Sequence, residues 1–177
     1  MARTERPWTV PIRVDDVPDT GRRVELAADE SVRTALAEAA GVNALTRLDA
    51  TFDLTRRGRS GLHVVGGVTA TVRQTCVVTL EPISNEVSER IDLVFAAADA
   101  QAAAAANVPV GADDPPEPIV DGVVDLGAVA TEFLILGIDP YPRKPGAVFE
   151  APQTADHETT PFAALAALKK SNDSSES

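Results

Sequence analysis

Over residues 45–55 apolar and polar side chains alternate: Leu48, Ala50, Phe52 and Leu54 fall on one side, and Asp49, Thr51, Asp53 and Thr55 on the other. A period of two is the mark of an extended strand with one buried face. Directly after it, Arg56-Arg57-Gly58-Arg59-Ser60-Gly61 sets two glycines in a basic run, which reads as a hairpin or longer turn. β character resumes over residues 62–76, with Val68, Ala70 and Val72 against Thr69, Thr71 and Arg73, and with Gly66-Gly67 interrupting the run as a bulge would. Two long strands that double back on each other commit the chain to an antiparallel sheet.

The flanking segments supply partners for that sheet. Trp8, Val10, Ile12 and Val14 alternate as well, and Pro11, lacking an amide donor, places this strand at an edge or at a bulge. Arg23-Val24-Glu25-Leu26 predicts a second short strand. Residues 31–41 read as a helix that Asp29 or Ser31 caps and Gly41 stops, with Val32, Leu36 and Ala39 on one face. Residues 76–80 are β-branched and apolar, predicting a strand that Pro82 ends, and residues 87–95 alternate again through Val87, Ile91, Leu93 and Phe95. From Asp125, whose carboxylate suits a helix N-terminus, Leu126, Val129, Phe133 and Leu136 recur at helical spacing. Asp139-Pro140-Tyr141-Pro142-Arg143-Lys144-Pro145-Gly146 cannot prolong that helix and reads as a rigid extended turn.

Residues 96–106 are nearly all alanine and run into Pro109, Pro115, Pro116 and Pro118, so a mobile insert at about 96–118 is expected inside a single domain spanning residues 1–150. Residues 151–177 read as a tail, with a short helix near 161–169 that begins at Thr160-Pro161 and carries Phe162, Leu165 and Leu168. The predicted fold is α+β: a mainly antiparallel, strongly bent, partly barrel-like sheet with two to three helices.

Length and composition narrow the function classes. A chain of 177 residues, 44% hydrophobic, suffices for one well-buried core. The N-terminus places Arg3, Arg6, Pro11 and Arg13 where a secretion signal would be apolar, and no stretch reaches membrane-spanning length, so a cytoplasmic protein without membrane contact is expected. A lone cysteine, Cys76, forms no internal disulfide and holds no structural zinc by itself. The net charge of -11 argues against a general nucleic-acid coat, which runs on Lys and Arg. Residues 1–60 are nonetheless neutral, and the excess acid clusters around Asp113, Asp114 and Glu117 and near the C-terminus.

No catalytic constellation is legible. The two histidines, His63 in a strand pattern and His157 in an acidic segment, do not compose a triad with a serine, and Gly66-Gly67 sits in β pattern rather than between a strand and a helix. Two basic features stand out: Arg56, Arg57 and Arg59 on the glycine turn, and Arg143 with Lys144 on the proline turn. Brought together, they would make one cationic patch for phosphates, with Tyr141 or Trp8 as a ring for base stacking. The same residues also read as solubilising turns, and the sequence leaves both readings open.

Two stretches carry a family likeness: Val72-Arg73-Gln74-Thr75-Cys76-Val77-Val78-Thr79-Leu80-Glu81-Pro82, and Asp125-Leu126-Gly127 through Asp139-Pro140-Tyr141-Pro142-Arg143-Lys144-Pro145-Gly146. Together they resemble the YceD family in its alphaproteobacterial form, with Cys76, Leu80, Glu81, Pro82, Pro140 and Pro142 as the motif positions. The resemblance implies a role in accumulation of large-subunit ribosomal RNA, with no reaction and no cofactor attached, in a family whose genes often neighbour one for a large-subunit ribosomal protein. Many relatives carry a second cysteine three residues after the first, and some carry further cysteines after the later helix, a pattern that suggests metal ligation. Thr79 and Arg143-Lys144-Pro145-Gly146 stand at those places here, so zinc is not carried over. Two partners follow as expectations: ribosomal RNA or a pre-ribosomal particle through the two turns, or, for an acidic adaptor, a basic ribosomal protein without RNA contact.

Overall fold

A computed structural model describes residues 6–97 and 115–149 of the chain. Two units divide it, Met1–Pro145 and Gly146–Ser177. The first runs β1 (Pro11–Arg13), a 3-10 turn (Val14–Asp16), β2 (Arg22–Ala27), α1 (Glu30–Ala39), β3 (Ala44–Arg57), β4 (Gly61–Thr75), β5 (Pro82–Ala97), β6 (Glu117–Ile119), β7 (Val123–Asp125) and α2 (Leu126–Gly137). The expected helix near 161–169 and most of the Ala/Pro insert lie outside the described residues.

The main sheet has the order β2-β3-β4-β5-β6, antiparallel except for the last pair, where β6 runs parallel to β5. Among the described residues its end strands β2 and β6 do not pair, so this sheet is not closed into a barrel. A second, two-stranded sheet joins β1 to β7, with Ile12 opposite Val124. With two helices among the described residues, the architecture is α+β.

The predicted inward set of β3 is correct: Leu48, Ala50, Phe52 and Leu54 are all buried. Leu45, out of phase by one residue, is buried too, because the register with β4 shifts between Leu45 and Arg47. That is where the bulge lies. Gly66-Gly67 is no bulge: pairing runs through both residues to β3 and to β5. Glycine is needed there because a Cβ on Gly66 would fall on the Thr51 carbonyl oxygen.

Leu62, Val64, Val68 and Val72 of β4 and Ile91 of β5 complete the inner face, against which α1 sets Leu36 and α2 sets Leu126 and Leu134. Each such side chain, once fully buried, contributes about 1.5–3 kcal/mol of transfer free energy. The helix stripes differ from the predicted ones by a few positions. In α1, Ala37 is buried and Ala39 exposed, while in α2, Leu134 is buried and Leu136 is exposed. Both stripes follow the spacing i, i+4 from a cap already visible in the sequence: Asp29 accepts from the Val32 amide and Asp125 from those of Gly127 and Ala128.

Three other expectations change. Residues 76–80 form a turn, not a strand, and Pro82 opens β5 rather than ending a strand. Ala96 and Ala97 belong to β5, and Glu117 and Pro118 to β6, so these four residues at the ends of the expected insert are strand. Asp121 and Gly122 both have positive φ, 54° and 70°, in the tight turn that carries β6 into β7.

Candidate functional site

The two family-like stretches meet at the far end of β4. β4 delivers Gln74, an inward-facing polar residue only 7% exposed, whose Nε2 donates to the Asp139 carbonyl at 2.7 Å. Asn85 of β5 donates to Gln74 Oε1 at 3.0 Å. The main chain leaves α2 at Gly137, and the Asp139 carboxylate accepts from the Tyr141 amide at 2.8 Å, bending the proline turn back over the sheet end. The Val77 amide then donates to the Pro142 carbonyl at 2.9 Å.

Cys76 is the centre of this junction and is fully buried. Its Sγ accepts from the Thr79 amide at 3.4 Å and from the Lys144 amide at 3.3 Å. Around it the turn closes by Cys76 N to Glu81 O and Leu80 N to Cys76 O, both 2.9 Å, with Leu80 forced to a φ of 60°. The Lys144 Nζ reaches Glu81 Oε2 at 2.8 Å, which holds Glu81 below its ordinary carboxylate value and raises Lys144. These bonds tie residues 74–81 to residues 139–144.

Hydrogen bonding favours the thiolate. The Thr79 side chain first, then the Lys144 and Thr79 amides, lower Cys76 from 9.0 to about 6, against an opposing push from burial. The sign of the linkage follows from a depressed folded value: the stabilisation is complete above 9.0 and is lost as pH falls through about 6. Wild-type protein is therefore expected to gain stability over a Cys76→Ala variant as pH rises across that window. Urea midpoints of both proteins at several pH values check this, and a constant difference would contradict a thiolate at Cys76.

A metal does not fit this junction. A structural zinc takes four ligands, and the side chains that reach the Cys76 turn from Thr79, Arg143 and Lys144 supply no second thiolate, imidazole or carboxylate to the sulfur. Among the described residues no group of three or more His, Cys, Asp or Glu side chains converges.

The basic turns do not form one patch. β4 starts at the arginine turn and ends at the Cys76 turn, so the two clusters are separated along a strand of 15 residues, roughly 45 Å at the usual rise of about 3.3 Å per residue. Within the arginine turn, Arg56 is drawn inward: its side chain is 26% exposed, lies 3.9 Å from Asp15 and donates to the Arg59 carbonyl at 3.4 Å. Arg57 and Arg59 are exposed and, among the described residues, form no ion pair. At the other end Lys144 is committed to Glu81, whereas Arg143 is exposed and Tyr141 is 71% exposed. Trp8, the alternative stacking ring, is 6% exposed and belongs to the core.

Sequence reasoning missed Gln74, Asn85 and the Glu81–Lys144 pair. A glutamine in an inward register between Val72 and Cys76 was the one available signal for a polar tie.

An open antiparallel sheet locked by a sulfur-centred junction to the turn after its packed helix defines a class of α+β domain. A family model described as Large ribosomal RNA subunit accumulation protein YceD matches residues 64–169, which include every residue of this junction. The match covers more than half of the chain, and the chain belongs to that family. No curated protein and no solved structure matches it.

Proposed function

We propose that this protein is a non-catalytic, cytoplasmic accessory factor for accumulation of large-subunit ribosomal RNA, and that it contacts RNA or a pre-ribosomal particle at two separate points. The observation that carries the reading is the trio of exposed guanidinium groups that form no ion pair among the described residues, Arg57 and Arg59 at one sheet end and Arg143 at the other, where Tyr141 is exposed as well. Guanidinium forks match phosphate geometry, and an exposed aromatic ring stacks on an unpaired base. Contacts at two ends of a long strand suit an extended or folded RNA surface better than a short single strand. The locked junction supports this role by fixing the proline turn to β4.

Each phosphate contact removed should lower the salt dependence of binding by about one unit of slope. Arg57→Glu with Arg59→Glu, and Arg143→Glu by itself, are expected to weaken co-sedimentation with precursor particles separately, and the triple variant to abolish it. Undiminished co-sedimentation of the triple variant would overturn this surface. A second reading, an adaptor for a basic ribosomal protein, is favoured by the net charge of -11 and predicts association that survives nuclease treatment.

A further inference from the structure

β5 pairs with β4 over all but its last two residues, from Pro82 opposite Thr75 to Phe95 opposite Leu62. On its other side β6 covers only Phe95, Ala96 and Ala97. Among the described residues, no strand pairs with that side over residues 82–94. Alternate backbone N–H and C=O groups there point away from β4, an open edge of the kind that proteins normally shorten or cover. α2 does not cover it, because that helix packs on the inner face, with Gly137 against Val87 and Glu89.

The charged side chains along this edge are Glu86, Arg90 and Asp92 on the outer face of β5 and Glu89 on the inner face, three acids against a single base. Glu86 accepts from the Thr71 hydroxyl at 2.8 Å, and Asp92 lies 2.7 Å from His63 Nε2 while its side chain stays 73% exposed. The acids are spaced evenly, three residues apart. A second copy pairing antiparallel about Glu89 would set Glu86 opposite Asp92 and Glu89 opposite itself, so acid meets acid at every charged pair. The opposite edge strand, β2, is short and carries two arginines and one glutamate, without that bias.

From this pattern we infer that the β5 edge is a docking site for an extended, lysine- or arginine-rich polypeptide segment, added as a strand beside residues 82–94. Main-chain hydrogen bonds supply the attachment, and the acids select a cationic segment while rejecting a second copy. The inference rests on the protein-partner reading and gives that reading a location; it requires no RNA.

The test uses the full chain and two twelve-residue peptides, one alternating Lys with Val or Thr and one with Glu in place of every Lys. Amide hydrogen exchange is followed across residues 82–94 at physiological salt. About half of those amides should exchange fast in the free protein and slow at least ten-fold with the Lys peptide, but not with the Glu peptide. A folded Glu86→Lys/Asp92→Lys variant should lose at least ten-fold in affinity for the Lys peptide and gain affinity for the Glu peptide. Slow exchange of the whole stretch in the free protein would mean that the chain already covers its own edge, and would overturn the proposal. So would Lys-peptide binding without protection of residues 82–94, or protection that appears through self-association. No nucleic acid is present in this experiment, so its failure and a failure of the arginine variants to release RNA are separate results.

Discussion

An alanine at Gly66 is expected to destabilise the domain by about 3 kcal/mol or more, toward the upper end of what overpacking costs. The residue lies mid-strand between Phe52 of β3 and Ile91 of β5, in continuous register with both. A Cβ there would meet the Thr51 carbonyl oxygen and come within 3.0 Å of the Phe52 Cα. Both obstacles are backbone, so no rotamer change relieves them, and β3 and β4 must separate. Thermal unfolding should show a fall of about 10 °C, from roughly 2–4 °C per kcal/mol in a chain of this size. The neighbouring Gly67→Ala is the control: its Cβ meets only the Glu89 carbonyl, at 3.0 Å, and its effect should be clearly smaller. Equal midpoints for the two variants would mean that β3 and β4 are not so closely apposed at Gly66.

The second large effect is expected at Asp125. Its Oδ1 accepts from three amides, Val10 at 2.8 Å, Gly127 at 3.1 Å and Ala128 at 3.2 Å, and so caps α2 and holds the N-terminal segment to it at once. Nearby, β1 pairs with β7 and the Leu126 amide donates to the Val10 carbonyl. Asp125→Ala removes the cap, at about 1 kcal/mol, and leaves the part-buried Val10 amide without its acceptor, at about 1–3 kcal/mol more. Asp125→Asn keeps an oxygen in place and should lose less than about 1 kcal/mol. Urea midpoints of the two variants test the argument, and an alanine variant as stable as the asparagine one would refute it.

What the sequence made legible was local. Alternation identified the inward residues of β3, and the two caps, Asp29 and Asp125, were readable as acids ahead of apolar periodicity. The misreadings share a cause, which is that pattern within a segment says nothing of what lies against it. Val77, Val78 and Thr79 have strand propensity, yet the chain must reverse between Thr75 and Pro82, which pair directly, and so they turn. Gly66 looked like a break in a strand, but it marks a neighbour's backbone. The three-residue strands β6 and β7 were too short to show a period, although Asp121-Gly122 was a visible hairpin signal. Whether the two basic turns meet could not be read from their own residues, because their separation is set by the length of β4, which keeps them at opposite ends. Lys144 and Glu81 are 63 residues apart, and only the fold brings them into contact.

At residue 144 the sulfur of Cys76 is met by a main-chain donor, not by the ammonium. Nineteen of the twenty amino acids could supply that donor, so the position can drift in charge and size while the lock holds, and only an imino acid would break it. With Pro145 next in line, a deletion of one residue before it would bring such a ring into that place and open the joint between the turn and the sheet.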